Sequence, residues 1–145
     1  MDFLPLFFDV KDKVVLVVGG GDVASRKARL LISAHARIKL VAPEIKPALQ
    51  TLVSDNGGEC HQRDFGDDDL SGVSIVVAAT DDTRVNAHIG VLAAKQNLPV
   101  NVVDDPSLCS FIFPAVPKNV HIVLSESGVT KIRHVPVGSS SFFFE

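Results

Sequence analysis

An α/β fold, doubly wound around a mainly parallel sheet, is the class this sequence predicts, and three observations predict it. Short apolar runs alternate with segments of helical period along residues 14–103. The first run stops at three consecutive glycines, Gly19 to Gly21, and passes at once into a helical segment. A third run, Val73–Ala79, is apolar without alternation, as strands covered on both faces are. Strands separated by helices form parallel sheets with right-handed crossovers.

Each element has its own signal. Val14–Val18 reads as the first strand and Val23–Ser33 as the first helix. Arg37–Ala42 is the second strand, closed by Pro43. Ile45–Asn56 places Ile45, Ala48, Leu49, Leu52 and Val53 at a helical period, and Gly57-Gly58 ends it. Glu59–Arg63 is a short third strand of mixed polarity, and Val73–Ala79 the fourth. Thr83–Asn97 is a helix with Val85, Ile89, Leu92 and Ala93 on one face, and Leu98–Val103 the fifth strand. Beyond Asp104 the alternation stops. Ser110–Phe113 and His121–Ser125 read as two strands joined by Pro117-Lys118-Asn119, a hairpin or short β extension of the sheet. From Gly128 the periodicity is lost.

Composition narrows the function classes. The chain has 145 residues, 46% of them apolar, enough for one domain with a core. A net charge of −3 gives no support to nucleic-acid binding through phosphates. Two cysteines, Cys60 and Cys109, make no disulfide framework and fit a reducing compartment. The five histidines have no zinc-like spacing with them, so no metal site is expected. No signal peptide is visible, and no run approaches the ~20 apolar residues of a membrane helix. The expected location is the cytoplasm.

The glycine turn carries the first chemistry. Gly19-x-Gly21-x-x-Ala24, after a strand and opening a helix, fits the dinucleotide fingerprint of a Rossmann-like fold. Gly19 permits the tight turn, Gly21 lets a pyrophosphate approach the backbone, and Ala24 lets the helix pack on the strand. The free N–H groups of the helix start then face the phosphates. In such sheets ligands sit beyond the carboxyl ends of the strands. Gly19–Asp22, Ala42–Glu44, Thr80–Asp82 and Asn101–Asp105 all fall there and are small or polar. Glu44 is the nearest carboxylate to the usual ribose position; it is either the ribose ligand or a solvated loop charge. With Lys46 close but no arginine at that strand end, NAD is favoured over NADP. Asp81 or Asp82 caps the helix that follows, and small residues there admit the nicotinamide-side ribose. Asp104 leaves the fifth strand where a nicotinamide ring would lie. It serves as a proton acceptor, or Asp104-Asp105-Pro106 is simply a turn. Arg26 and Lys27 either attract phosphates and carboxylates or form a solvated helix face.

Several motifs in order resemble one family. They are Asp2-Phe3-Leu4-Pro5-Leu6-Phe7, Val18-Gly19-Gly20-Gly21-Asp22-Val23-Ala24-x-Arg26-Lys27, and Ala78-Ala79-Thr80-Asp81-Asp82 with Val85-Asn86. Asn101-Val102-Val103-Asp104 and Ser110-Phe111-Ile112-x-Pro114 complete the set. Together they resemble the N-terminal domain of siroheme synthase, the precorrin-2 dehydrogenase and sirohydrochlorin ferrochelatase family. The resemblance runs from residue 2 to residue 128.

It implies oxidation of precorrin-2 to sirohydrochlorin with NAD, and in many members insertion of ferrous iron. It implies NAD contacts at Gly21, Asp22, Val23, Thr80 and Asn101, and Asp104 as general base, implicated in chelation. It makes Ser125, Ser127 and Gly128 part of a Ser-rich loop near the tetrapyrrole. Family members form homodimers through a helical segment after that loop, and Val129–Glu145 shows no such pattern. The expected organisation is therefore a Rossmann domain over 1–113, then the start of a dimerisation or substrate segment over 114–145, truncated or frame-shifted. Two other readings stand beside the enzyme: a non-catalytic NAD-sensing Rossmann module, and an inactive remnant.

Overall fold

The computed structural model describes residues 7–113 and, as backbone, residues 120–124 and 130–134. It divides into two units, Met1–Ile112 and Phe113–Glu145. The first contains β1 (Val14–Val18), α1 (Asp22–Ser33), β2 (Arg37–Ala42), α2 (Pro47–Asp55), β3 (Glu59–Gln62), β4 (Ile75–Ala78), α3 (Thr83–Lys95) and β5 (Val100–Val102). The strands form one parallel sheet in the order β3-β2-β1-β4-β5. This is the doubly wound Rossmann-like order, with its reversal between β1 and β4. The fold class expected from the sequence is the one observed.

Burial explains the apolar runs. Leu16, Val17, Val76 and Val77 are fully buried in the central strands, because helices cover both faces. The edge strand β3, Glu-Cys-His-Gln, stays polar and half-exposed, which suits an edge. Helix α1 buries Ala24, Ala28 and Leu31, spaced four and three residues apart. Helix α3 buries Ile89, Gly90 and Ala93. A Cβ on Gly90 would lie 3.1 Å from Val102 Cγ2 and 3.2 Å from Leu108 Cβ, so the helix sits close on the β5 side.

The expected element boundaries need small corrections. The second helix starts at Pro47 rather than Ile45, since a proline suits the first helical turn. The fourth strand begins at Ile75, after Gly72 (φ +73°) and a loop. The fifth strand is confined to Val100–Val102: Leu98 N–H still closes helix α3 on Ala93 O, and Asp104 turns the chain at φ +62°.

A larger correction concerns the segment after Asp104. Ser110–Phe113 is not a strand. Ser110 N–H donates to Val100 O (2.9 Å), but the Ser110 hydroxyl takes the Val100 N–H (2.8 Å) where a ladder would need a carbonyl. The second unit instead pairs β6 (Val120–Leu124) with β7 (Thr130–His134), antiparallel, from Val120 opposite His134 to Leu124 opposite Thr130. These two strands form a sheet of their own. The sequence from Gly128, read as without periodicity, nevertheless holds a strand at Thr130–His134, whose one central apolar residue is Ile132.

Candidate functional site

The carboxyl ends of β1, β2 and β4 open into one cleft of about 1040 Å³. Its floor is the glycine turn. Gly19 adopts φ +128°, and a Cβ there would collide with the Ala79 carbonyl oxygen. Gly20 is tighter still: a Cβ would collide with the Glu44 carbonyl oxygen and sit 2.9 Å from Ile45 Cα. Gly21 differs, because a Cβ there would meet no protein atom within 4 Å. Two glycines are therefore required by the protein's own packing, and the third faces open space in the cleft. Ala24, fully buried, keeps helix α1 close to the sheet.

Helix α1 starts with Gly21 as its N-cap and no side-chain cap. The first N–H groups of a helix have no intrahelical acceptor, and the helix dipole makes that end electropositive. An open glycine beside an uncapped helix start fits the pyrophosphate of a dinucleotide.

The cleft rim is charged and paired. Lys46 Nζ lies 2.7 Å from Asp22 Oδ2, bridging the start of α1 to the residues before α2. That ammonium holds the Asp22 carboxyl below the usual range. Asp82 is the N-cap of α3, accepting from Arg84 N–H (2.8 Å) and Val85 N–H (3.4 Å). Arg84 also pairs with it through its guanidinium at 3.3 Å and lowers its pKa. Of the two capping aspartates offered by the sequence, Asp82 takes the role.

Phe65 and His88 face each other edge-on across 6.4 Å at the cleft margin, and His88 Nε2 lies 2.9 Å from Asp67 Oδ1. The loop bearing Phe65 is tied to Asp69, which is 3% exposed. Asp69 accepts two bonds from Arg63 (both 2.7 Å) and one from Gly66 N–H (3.0 Å), with Lys39 Nζ at 3.0 Å. Arg63, with the Gly66 N–H and Lys39, holds the Asp69 carboxyl well below the usual carboxylate range against the opposing effect of burial.

The expected site residues divide into groups. Gly19, Gly21, Glu44, Thr80 and Asp81 line the cleft. Asp22, Val23 and Ala24 form the helix start beside it. Asn101 is buried at the end of β5 and donates to Phe111 O (3.1 Å) and Cys109 Sγ (3.6 Å), outside the cleft lining. Asp104 is exposed one residue beyond Val103, also outside that lining. The turn after it is capped by Asp105, which accepts from Ser107 N–H (3.1 Å) and its hydroxyl (2.6 Å). The Asp104 side chain is thus not the one spent on the turn. Ser125, Ser127 and Gly128, and the motif residues Asp2 to Leu6, lie outside the described residues. Arg26 is exposed and Lys27 half-buried, its pKa pulled down by burial.

Sequence reasoning missed Phe65, His88 and the role of Gly20, which the fingerprint treats as free to vary. The run of three glycines was the available signal for Gly20. Nothing in a lone Phe or His distinguishes a cleft margin from a surface. Among the described residues no three His, Cys, Asp or Glu side chains group to hold a metal, and no helix is long and apolar enough to cross a membrane.

Comparison with known proteins agrees with this geometry. The NAD(P)-binding family model NAD_binding_7 matches residues 6–115. The chain belongs to this NAD(P)-binding family. Among curated relatives it is 50% identical over 127 residues to the siroheme synthase of Pseudomonas paraeruginosa, 88% of this chain and 27% of that protein. It is 47% identical over 127 residues to that of Pseudomonas fluorescens, and 50% over 116 residues to that of Azotobacter vinelandii, covering 27% and 25% of those proteins. The chain thus spans about a quarter of the length of these relatives. A solved structure, SirC, precorrin-2 dehydrogenase, shares the fold with a TM-score of 0.64 and 23% identity, over 95% of this chain and 64% of that one. The resemblance carried by the motifs is therefore borne out. As an NAD(P)-binding family member, the chain takes a nicotinamide cofactor.

Proposed function

We propose that this chain is the NAD-binding part of a precorrin-2 dehydrogenase that forms sirohydrochlorin. The observation that carries the reading is the cleft at Gly21, open to a ligand, in a chain half-identical over 127 residues to siroheme synthases.

The roles follow from position. The turn Gly19 to Ala24 holds the pyrophosphate on the uncapped start of α1. Glu44, at the exit of β2, binds the adenine ribose. Thr80 and Asp81 border the nicotinamide-side ribose, and Asn101 braces the β5 exit through Phe111 and Cys109. Bound there, the nicotinamide supplies the hydride acceptor. Desaturating the macrocycle releases one hydride and one proton, so the protein must provide a base. Asp104 fills that role: it leaves the strand next to β4, and Asp105 rather than Asp104 caps the turn. Ser125, Ser127 and Gly128 contact the tetrapyrrole, and the segment over 114–145 begins the dimer and substrate region of a cytoplasmic homodimer. Ferrous iron, as a substrate, is inserted in the same pocket.

The test is anaerobic incubation with precorrin-2 and NAD, following NADH and the tetrapyrrole spectrum. Both products should form. Asp104→Asn keeps a residue that tolerates the left-handed turn and removes the base. It should lose at least about a hundredfold in oxidation rate while binding NAD as wild type does. Normal turnover by that variant would remove Asp104 as the base. NAD binding without turnover in wild type would favour the sensing module. Adding ferrous iron and following siroheme tests the second activity.

A further inference from the structure

The buried polar residue of α3 has a use that neither the fingerprint nor the proposed base accounts for. Asn86 is 4% exposed, on a helix face otherwise buried through Ile89, Gly90 and Ala93. Its Oδ1 accepts from Thr80 N–H (3.1 Å), and its Nδ2 donates to Thr80 O (2.9 Å). A backbone N–H can only donate and a carbonyl can only accept, so the amide orientation is fixed by its partners. The Thr80 hydroxyl lies 2.8 Å from the same Oδ1 and 3.0 Å from Asp82 O, and accepts from Asp82 N–H at 3.2 Å. Every polar group of Thr80 is thus held from within the protein. On the other side, the Ala79 carbonyl packs against Gly19 so closely that no Cβ fits between them.

We infer that Asn86 is a positioning residue for the dinucleotide, acting through Thr80 to hold the Thr80–Asp82 rim in register with the glycine turn. The inference rests on the cofactor reading above and adds a specific residue to it. An apolar side chain at position 86 would suit the core but would leave Thr80 N–H and O without partners. The loop would then shift to find others, and the cleft would lose its fixed width. A neutral amide supplies the acceptor and the donor on two separate atoms, as the Thr80 N–H and O require; a carboxylate supplies the acceptor alone.

The test measures NAD affinity by calorimetry on the full chain, at a temperature where each protein is folded, beside the melting temperature without ligand. Asn86→Ala should weaken NAD binding about tenfold, and Asn86→Asp at least as much, since its second carboxylate oxygen would face the Thr80 carbonyl oxygen, acceptor against acceptor. Should Asn86→Ala not fold, Asn86→Asp carries the test alone. A merely structural residue would lower the melting temperature and leave the affinity of the folded protein unchanged, and that result would overturn the inference. Wild type that does not bind NAD would overturn the cofactor reading and this inference with it. Wild-type binding matched by both folded variants would overturn the inference alone.

Discussion

At the scale of single residues, the three adjacent glycines do different work, and substitution should separate them. Gly20→Ala places a methyl group against the Glu44 carbonyl and Ile45 Cα, backbone atoms that cannot turn aside. It should cost about 2–4 kcal/mol of stability in urea unfolding. Gly21→Ala meets nothing in the protein, and its φ of −92° is open to alanine. It should melt within a few degrees of wild type yet bind NAD at least about tenfold more weakly, because the methyl group occupies the ligand's side. Asp69 gives a second prediction. Asp69→Ala leaves Arg63 and Lys39 without their buried partner and should cost about 3 kcal/mol at neutral pH. The folded carboxyl titrates below its unfolded value, so its contribution is complete above about pH 4 and fades as pH falls toward the folded value. The stability difference between wild type and variant should therefore shrink in acid. A difference that is constant with pH would mean that charge is not what Asp69 contributes.

At the scale of elements, helix starts decide what the strand ends can do. Helix α1 opens without a side-chain cap, while α3 is capped by Asp82. Asp82→Ala should lower the melting temperature by a few degrees, because it removes the side-chain acceptor for the first N–H groups of α3. The exposed Arg84 pair should add little to that. Most of this scale was legible in the sequence: four of the five parallel strands follow from short apolar or β-rich runs, the polar edge strand β3 from its place after Gly57-Gly58, and the helices from their period. The boundaries were less legible where a backbone feature overrode composition, as at the left-handed Asp104 or the serine that replaces a carbonyl beside Val100. Asn86 shows the other limit. It stood in a recognised motif, yet only the folded backbone reveals that its amide spans both polar groups of Thr80. The β6–β7 pairing was misread because Thr-Lys-Ile-Arg-His has too little apolar content to register as a strand by itself.

At the scale of the whole molecule, the charge of the cleft gives a prediction about the choice between NAD and NADP. Its lining carries four carboxylates, Glu44, Asp64, Asp81 and Asp82, against two cations, Lys46 and Arg84. Both cations are already engaged, Lys46 with Asp22 and Arg84 with Asp82. With the adenine ribose at Glu44 as proposed, the added 2′-phosphate of NADP would enter an acidic rim, and binding Lys46 would mean breaking its 2.7 Å pair. NAD should therefore bind at least about tenfold more tightly than NADP at low salt. Because these groups are exposed, screening should narrow the gap as ionic strength rises toward about 0.5 M, where the Debye length falls to about 4 Å. Asp22→Asn should release Lys46 and shift the ratio toward NADP by only a few fold, since an exposed ion pair is weak. Glu44→Arg should shift it further, by exchanging a repelling charge for an attracting one at the ribose position. Calorimetric dissociation constants for NAD and NADP at two salt concentrations, for wild type and the two variants, check all four statements. Equal affinities in wild type at low salt would mean that rim charge does not select the cofactor.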